Sequence, residues 1–190
     1  AHTRDEALND TYPPYNRPYS LLQWSSTRRL HPSTWVVLLD PDMLMLSPLR
    51  LPSESTDAAD ILYAGEAPLA SALRLPAVGQ RYRYMAARWR AAALDLREIC
   101  DASAQACLSL TEQDVAEYYS VGPPWVMRFA DLRRAAPYWH AYTPRIRRQY
   151  RQLIAEMYAY VLAFATVGVR HLVVDHLVVS YPGAPPREHA

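Results

Sequence analysis

Thr34-Trp35-Val36-Val37-Leu38-Leu39-Asp40-Pro41-Asp42-Met43 is the stretch on which the fold turns. Its first six residues are apolar or β-branched, with Pro32 before them and Asp40 after. Such a run reads as a fully buried strand of a parallel or mixed sheet, because a strand covered on both faces has no solvent side to alternate with. The strand delivers Asp40 to its end, where open α/β sheets place their ligand crevice. Two carboxylates two residues apart share one side if the extended geometry persists. Such a pair, Asp40 and Asp42, suits a hard divalent cation, Mn²⁺ or Mg²⁺, that also coordinates a diphosphate. A strand-ending turn with Asp as its cap accounts for the same residues. The apolar Met43-Leu44-Met45 that follows argues against an ordinary surface turn.

On the N-terminal side, residues 11–17 read as an ordered loop. Pro18 fits the first turn of a helix running to about Arg29, with Leu21, Leu22 and Trp24 as its apolar positions. On the C-terminal side, Met43-Leu44-Met45-Leu46 reads as a short extended segment. Residues 50–59 read as polar loop, Ile61-Leu62-Tyr63-Ala64 as a short strand, and 66–80 as loop. A helix is predicted from about Tyr82 to Ile99, with Met85, Trp89, Ala92 and Leu96 on one face. Residues 124–129 read as a strand, and Asp131 opens a short helix carrying Trp139. Thr143-Pro144 has the signature of a new helix start. Residues 152–167 form the clearest helix, apolar nearly all round and therefore buried, with Gly168 as its stop. His171-Leu172-Val173-Val174 and Leu177-Val178-Val179-Ser180 read as strand pieces. Strands alternating with helices predict an α/β domain with a mixed sheet flanked by helices.

Half-hydrophobic composition over 190 residues suffices for one compact domain, residues 1–190, or a large piece of a bigger one. The formal net charge of +1 gives no field that favours nucleic acid or an anionic membrane. All 20 basic residues are arginine, as a GC-rich codon bias would produce. No run reaches the ~18 apolar residues of a membrane span. The start, Ala1-His2-Thr3-Arg4-Asp5, has no signal-peptide core, so a targeting segment or membrane anchor is expected upstream, outside this chain. Cys100 and Cys107 either pair locally, as in a secretory lumen, or stay as two thiols.

Four further groups bear on function. Glu156 lies in a helix too apolar to hold a carboxylate cheaply. It is either an active-site group or half of an ion pair with an arginine such as Arg151 or Arg170, and Tyr160 shares its face one turn on. His171, Asp175 and His176 either offer a metal ligand near a strand end, His176 in particular, or include only a lone surface histidine. Asn16 and Arg17 in a proline-stiffened loop suit a nucleotide or diphosphate, or else the loop is simply packed by its tyrosines. Arg145, Arg147, Arg148 and Arg151 read as a solvated helix face, and Trp125 and Trp139 as core.

Taken together, several segments resemble the peptidyl O-glycosyltransferases of plants and algae. Tyr15-Asn16-Arg17-Pro18 with Gln23-Trp24 is similar to the segment before that family's metal strand. Val36 through Met43 resembles its strand and Asp-x-Asp-type motif. Gly122 to Val126 and Ala136 to Trp139 resemble its mid-domain strand and helix, and Glu156-Met157-Tyr158-Ala159-Tyr160 matches its most distinctive signature. Residues 66–110 match poorly. Asp-Pro-Asp-Met with Leu153-Ile154-Ala155-Glu156-Met157-Tyr158 leans to the serine α-galactosyl branch, while Pro41 is shared with the hydroxyproline O-arabinosyl branch.

The resemblance implies a GT-A-like fold, a Mn²⁺ or Mg²⁺ cofactor, a UDP-sugar donor and retaining transfer to serine or hydroxyproline of hydroxyproline-rich proteins. It implies metal and diphosphate binding by Asp40 and Asp42, a reaction-centre role for Glu156, and nucleotide or substrate contacts from Asn16, Arg17 and Tyr160. The expected location is the ER or Golgi lumen. Two departures are visible. Little chain precedes Asp40 for a first nucleotide-binding strand and helix, and the family's later histidine has only His176 as a substitute. An inactive fragment that keeps the packing is therefore the third reading, and weak UDP-sugar binding by the isolated chain is expected.

Overall fold

A computed structural model describes residues 4–45, 77–82, 85, 88, 89, 92–175, 177 and 178. Two short strands, β1 (Arg4–Asp5) and β2 (Asp10–Thr11), pair antiparallel at the start. A 3₁₀ turn (Pro13–Tyr15) runs directly into helix α1 (Asn16–Thr27), with Pro18 tolerated in its first turn as the sequence suggests.

The main sheet has the order β3-β5-β4-β6. β3 (Trp35–Leu38) pairs antiparallel with β5 (Val121–Arg128), β5 antiparallel with β4 (Ala77–Arg81), and β4 parallel with β6 (His171–Val174). The protein is thus mixed α/β, with a mixed sheet flanked by helices. β5 carries the core: Trp125 and Met127 are fully buried on the helix side, while Val126 packs with Val78 and Val174 on the other face. Between Gln80↔Gly122 and Gly79↔Trp125 the register shifts past the cis Pro123-Pro124 pair. Prolines cannot donate to the ladder, so a break falls where they sit.

Several expectations change here. β3 is not fully buried; it ends the described sheet, and only Val36 of its residues is buried. The apolar run is thus a strand, as expected, but not a fully buried one. Residues 43–45 are not a strand, and Leu44 is 87% exposed. Residues 77–80, read as the end of a loop, form β4 together with Arg81. The two helices expected around Thr143-Pro144 are one, α5 (Phe129–Gln149), with Pro137 and Pro144 inside it. Thr143 is no N-cap: its hydroxyl donates back to the Trp139 carbonyl at 2.7 Å. The stripe Leu132, Ala135, Ala136, Trp139, Tyr142 and Ile146 buries at helical spacing through both prolines, and this outweighs the local stop signal. The expected strand at 61–64 and the residues 179–180 lie outside the described residues, and Leu177 and Val178 are not strand.

The helix predicted over 82–99 is interrupted. Ala93 has a positive φ of 46°, and Asp95 caps a new short helix, α2 (Leu96–Ile99), by accepting from the Arg97 amide. Cys100 and Cys107 are disulfide-bonded, closing the turn that leads into α3 (Gln105–Leu108). α4 (Glu112–Asp114) follows with a capping box from Thr111. Helix α6 (Ala155–Thr166) packs along α5, and all its residues from Ala155 to Ala165 are buried. Gly168 ends it at φ +71°, with the Val169 amide on the Phe164 carbonyl and the Gly168 amide on the Ala165 carbonyl. Arg147 is not part of a solvated face. It is buried and forms a two-pronged pair with Asp10, both contacts at 2.8 Å, which ties the N-terminal hairpin to α5.

Candidate functional site

Three distant segments meet at one guanidinium. Arg17 sits in the first turn of α1, Asp40 follows β3, and Glu156 is in the first turn of α6. Arg17 Nη2 donates to Asp40 Oδ1, and Arg17 Nη1 donates to Glu156 Oε2 at 3.3 Å. The guanidinium carbon lies 5.3 Å from the centroid of the Trp125 ring, in cation–π range. Trp125 in turn stacks on Tyr160 at 4.3 Å with 19° between planes, and the Tyr160 hydroxyl bonds His171 Nε2 at 2.7 Å.

Glu156 is anchored on its backbone as well. Its amide donates to the Tyr12 hydroxyl at 3.0 Å, and Tyr12 donates onward to the Leu153 carbonyl. Its carbonyl accepts from Trp139 Nε1 at 3.1 Å. The side chain is 3% exposed, and Oε1 has no hydrogen-bond partner among the described residues. Burial pushes its carboxyl up to about 7, against the opposing pull of Arg17. A carboxylate so placed changes charge near neutral pH and carries an unused acceptor.

Asp40 and Asp42 do not continue the strand. The Met43 amide bonds the Asp40 carbonyl at 3.1 Å, so Asp40-Pro41-Asp42-Met43 is a turn with proline at its second position. The turn still keeps the two carboxylates in each other's field: burial, then Asp42, raise the Asp40 carboxyl while Arg17 lowers it. Asp42 is exposed. Their hard oxygen donors are of the type a divalent cation takes, and two carboxylates alone leave most of its coordination to other ligands. Among the described residues no three His, Cys, Asp or Glu side chains form a metal-holding group.

The other sequence candidates separate. Asn16 is exposed at the start of α1. Tyr160 is fully buried behind Trp125, and supports the site from within the core. His171 is fully buried and held neutral, its pKa pushed down to about 3 by burial. Asp175 pairs with Arg81 at 2.9 Å, and His176 lies outside the described residues. The partner of Glu156 is neither Arg151, which is exposed, nor Arg170, which lies over Tyr118 and 4.0 Å from Asp114. Sequence reasoning missed Tyr82. Its hydroxyl is raised by burial and then by Asp40 and Asp42, so it belongs to the same electrostatic neighbourhood. The signal was Gly122: a Cβ there would lie 2.4 Å from Tyr82 ring carbons, so only glycine lets the ring cover the strand.

Comparison with known proteins finds a distant relative whose name is that of a glycosyltransferase. The peptidyl serine alpha-galactosyltransferase of Arabidopsis thaliana is 26% identical to this chain over 200 aligned residues, covering 98% of the chain and 21% of that protein. The chain therefore spans about a fifth of the length of that relative, and the relationship is distant. No protein-family model matches the chain, and no solved structure does.

Proposed function

We propose that this chain is part of a metal-dependent, retaining glycosyltransferase of GT-A-like fold that moves a sugar, galactose in the favoured reading, from a UDP-sugar to serine or hydroxyproline of hydroxyproline-rich proteins. The supporting observation is the convergence of Asp40 and Glu156 on Arg17, since all three come from segments that resemble the family's motifs. Asp40 and Asp42 would hold Mn²⁺ or Mg²⁺, which when bound stabilises charge on the leaving diphosphate. Arg17 is suited to the same phosphates, whose oxygens match its planar fork. The unpartnered Oε1 of Glu156 is buried, so it would accept a hydrogen bond from a sugar or acceptor hydroxyl, and orient it, only once the packing around Arg17 opens. In a front-face reaction the acceptor oxygen bonds to the anomeric carbon as the bond to phosphate breaks. The hydroxyl proton passes to the departing phosphate oxygen, so no strong protein base is needed.

The disulfide between Cys100 and Cys107 supports a secretory-lumen location, where such bonds persist. Among the described residues no helix is long and apolar enough to cross a membrane. The arabinosyl reading differs in donor, and hydrolysis assays with UDP-galactose against UDP-arabinofuranose separate the two. Two observations favour the reading in which only the packing survives: Arg17 already pairs with Asp40 and Glu156, and the Glu156 side chain is nearly inaccessible.

The test is Asp42→Ala. Asp42 is exposed, so the fold should lose no more than about 0.5 kcal/mol. Transfer should fall at least ~100-fold, the rate equivalent of several kcal/mol of lost charge stabilisation. Transfer that survives the substitution overturns the assignment.

A further inference from the structure

The shared guanidinium has a consequence for how the site loads, and it rests on the proposed function. Asp40 has its Oδ1 on Arg17, and the two side chains are 26% and 27% exposed, so the pair is partly withdrawn from water. A divalent cation on Asp40 would meet a guanidinium already in contact with that carboxylate, and the two positive charges repel. A diphosphate reverses the preference. It carries more negative charge than one carboxylate, and its oxygens match the guanidinium fork. Arg17 also has two contacts that need not break as it turns: the Trp125 ring at 5.3 Å and Glu156 Oε2 at 3.3 Å.

We infer that Arg17 is a loading gate: it holds Asp40 closed to the cation until a nucleoside diphosphate draws it off, so that metal and nucleotide enter together rather than metal first. By linkage, whatever the nucleotide adds to metal affinity the metal adds to nucleotide affinity.

The experiment titrates Mn²⁺ alone into the chain and into Arg17→Met by calorimetry and by the spectrum of free Mn²⁺. It then repeats the titrations with UDP. The gate predicts that Arg17→Met binds Mn²⁺ alone about tenfold more tightly than the wild type, and that its UDP affinity falls. Equal or weaker Mn²⁺ binding by a folded Arg17→Met overturns the gate. A second measurement needs no variant: the side-chain N–H resonances of Arg17 followed on addition of UDP with Mg²⁺. They should move on binding, and unchanged resonances in a UDP-bound protein also overturn it. The proposed function fails separately, by an absence of both Mn²⁺ and Mn²⁺–UDP binding in wild type and variant alike, which removes the gate with it.

Discussion

Replacing Glu156 with glutamine should make the protein more stable at pH 8 and leave it nearly unchanged at pH 4. The carboxyl is raised from an ordinary 4.5 to about 7 in the folded chain, chiefly by burial. Below pH 4.5 the folded and unfolded chains both hold the proton, and no stability is lost. Between 4.5 and 7 the unfolded chain releases it while the folded one keeps it, so the unfolded state gains. Above 7 both are ionised and the loss levels off. At ~1.4 kcal/mol per pH unit the change from 4.5 to 7 amounts to about 3 kcal/mol. Glutamine has the shape of the protonated acid and keeps an oxygen for Arg17 Nη1, but it cannot ionise. The assay is urea denaturation followed by tryptophan fluorescence, wild type against Glu156→Gln, at half-unit steps from pH 4 to pH 8.5. Other titrating groups such as Asp10 act equally in both proteins and cancel in the difference. The expected difference grows in favour of the variant by about 3 kcal/mol across that window. Parallel curves, or a wild type that gains on the variant as pH rises, refute the claim that Glu156 is a buried carboxyl with a raised pKa.

Other outcomes follow from single contacts. Asp10→Ala should cost about 3 kcal/mol in urea denaturation, because it leaves Arg147 buried without its two-pronged partner. Replacing Cys100 and Cys107 together with serine should cost about 2 kcal/mol, the loop-closure entropy of a bridge with a sequence separation of 7; reductant should lower the thermal midpoint of the wild type but not of the double variant. Gly122→Ala should cost about 1–3 kcal/mol, since its methyl would lie 2.4 Å from Tyr82 ring carbons, and adding Tyr82→Ala should recover part of that loss. A Gly122→Ala protein with unchanged stability would mean that the Tyr82 ring does not cover the strand.

Local patterns were enough to read some elements from residue order alone. The α6 segment is apolar on every face, which leaves burial as its only solution, and Gly168 supplies the positive φ that ends it. The run Trp35-Val36-Val37-Leu38 is apolar, largely β-branched and bounded by turn residues, so its strand character is local too. Other elements carry no such mark. Ala77-Val78-Gly79-Gln80-Arg81 neither alternates nor runs apolar, and it is a strand because β5 and β6 flank it. Thr143-Pro144 obeys a local rule for a helix start, and the continuous buried stripe of α5 overrules it.

The same division runs through the candidate site. That Glu156 must find a partner, and that Asp40 must lie at a strand end, follow from residue types in their immediate surroundings: a carboxylate in an apolar helix cannot stay unpaired without a large desolvation cost. Which arginine answers it is a matter of chain path. Arg17 lies 139 residues from Glu156 and 23 from Asp40, and only the packing of α1, the end of β3 and the start of α6 brings them to one point. Tyr82 joined them for the same reason, because the space above Gly122 exists only once β4 and β5 are paired. Sequence by itself determined which groups were out of place where they stood; the tertiary structure decided what they stand beside, because long-range partners are set by the geometry of packed elements and not by the residues next door.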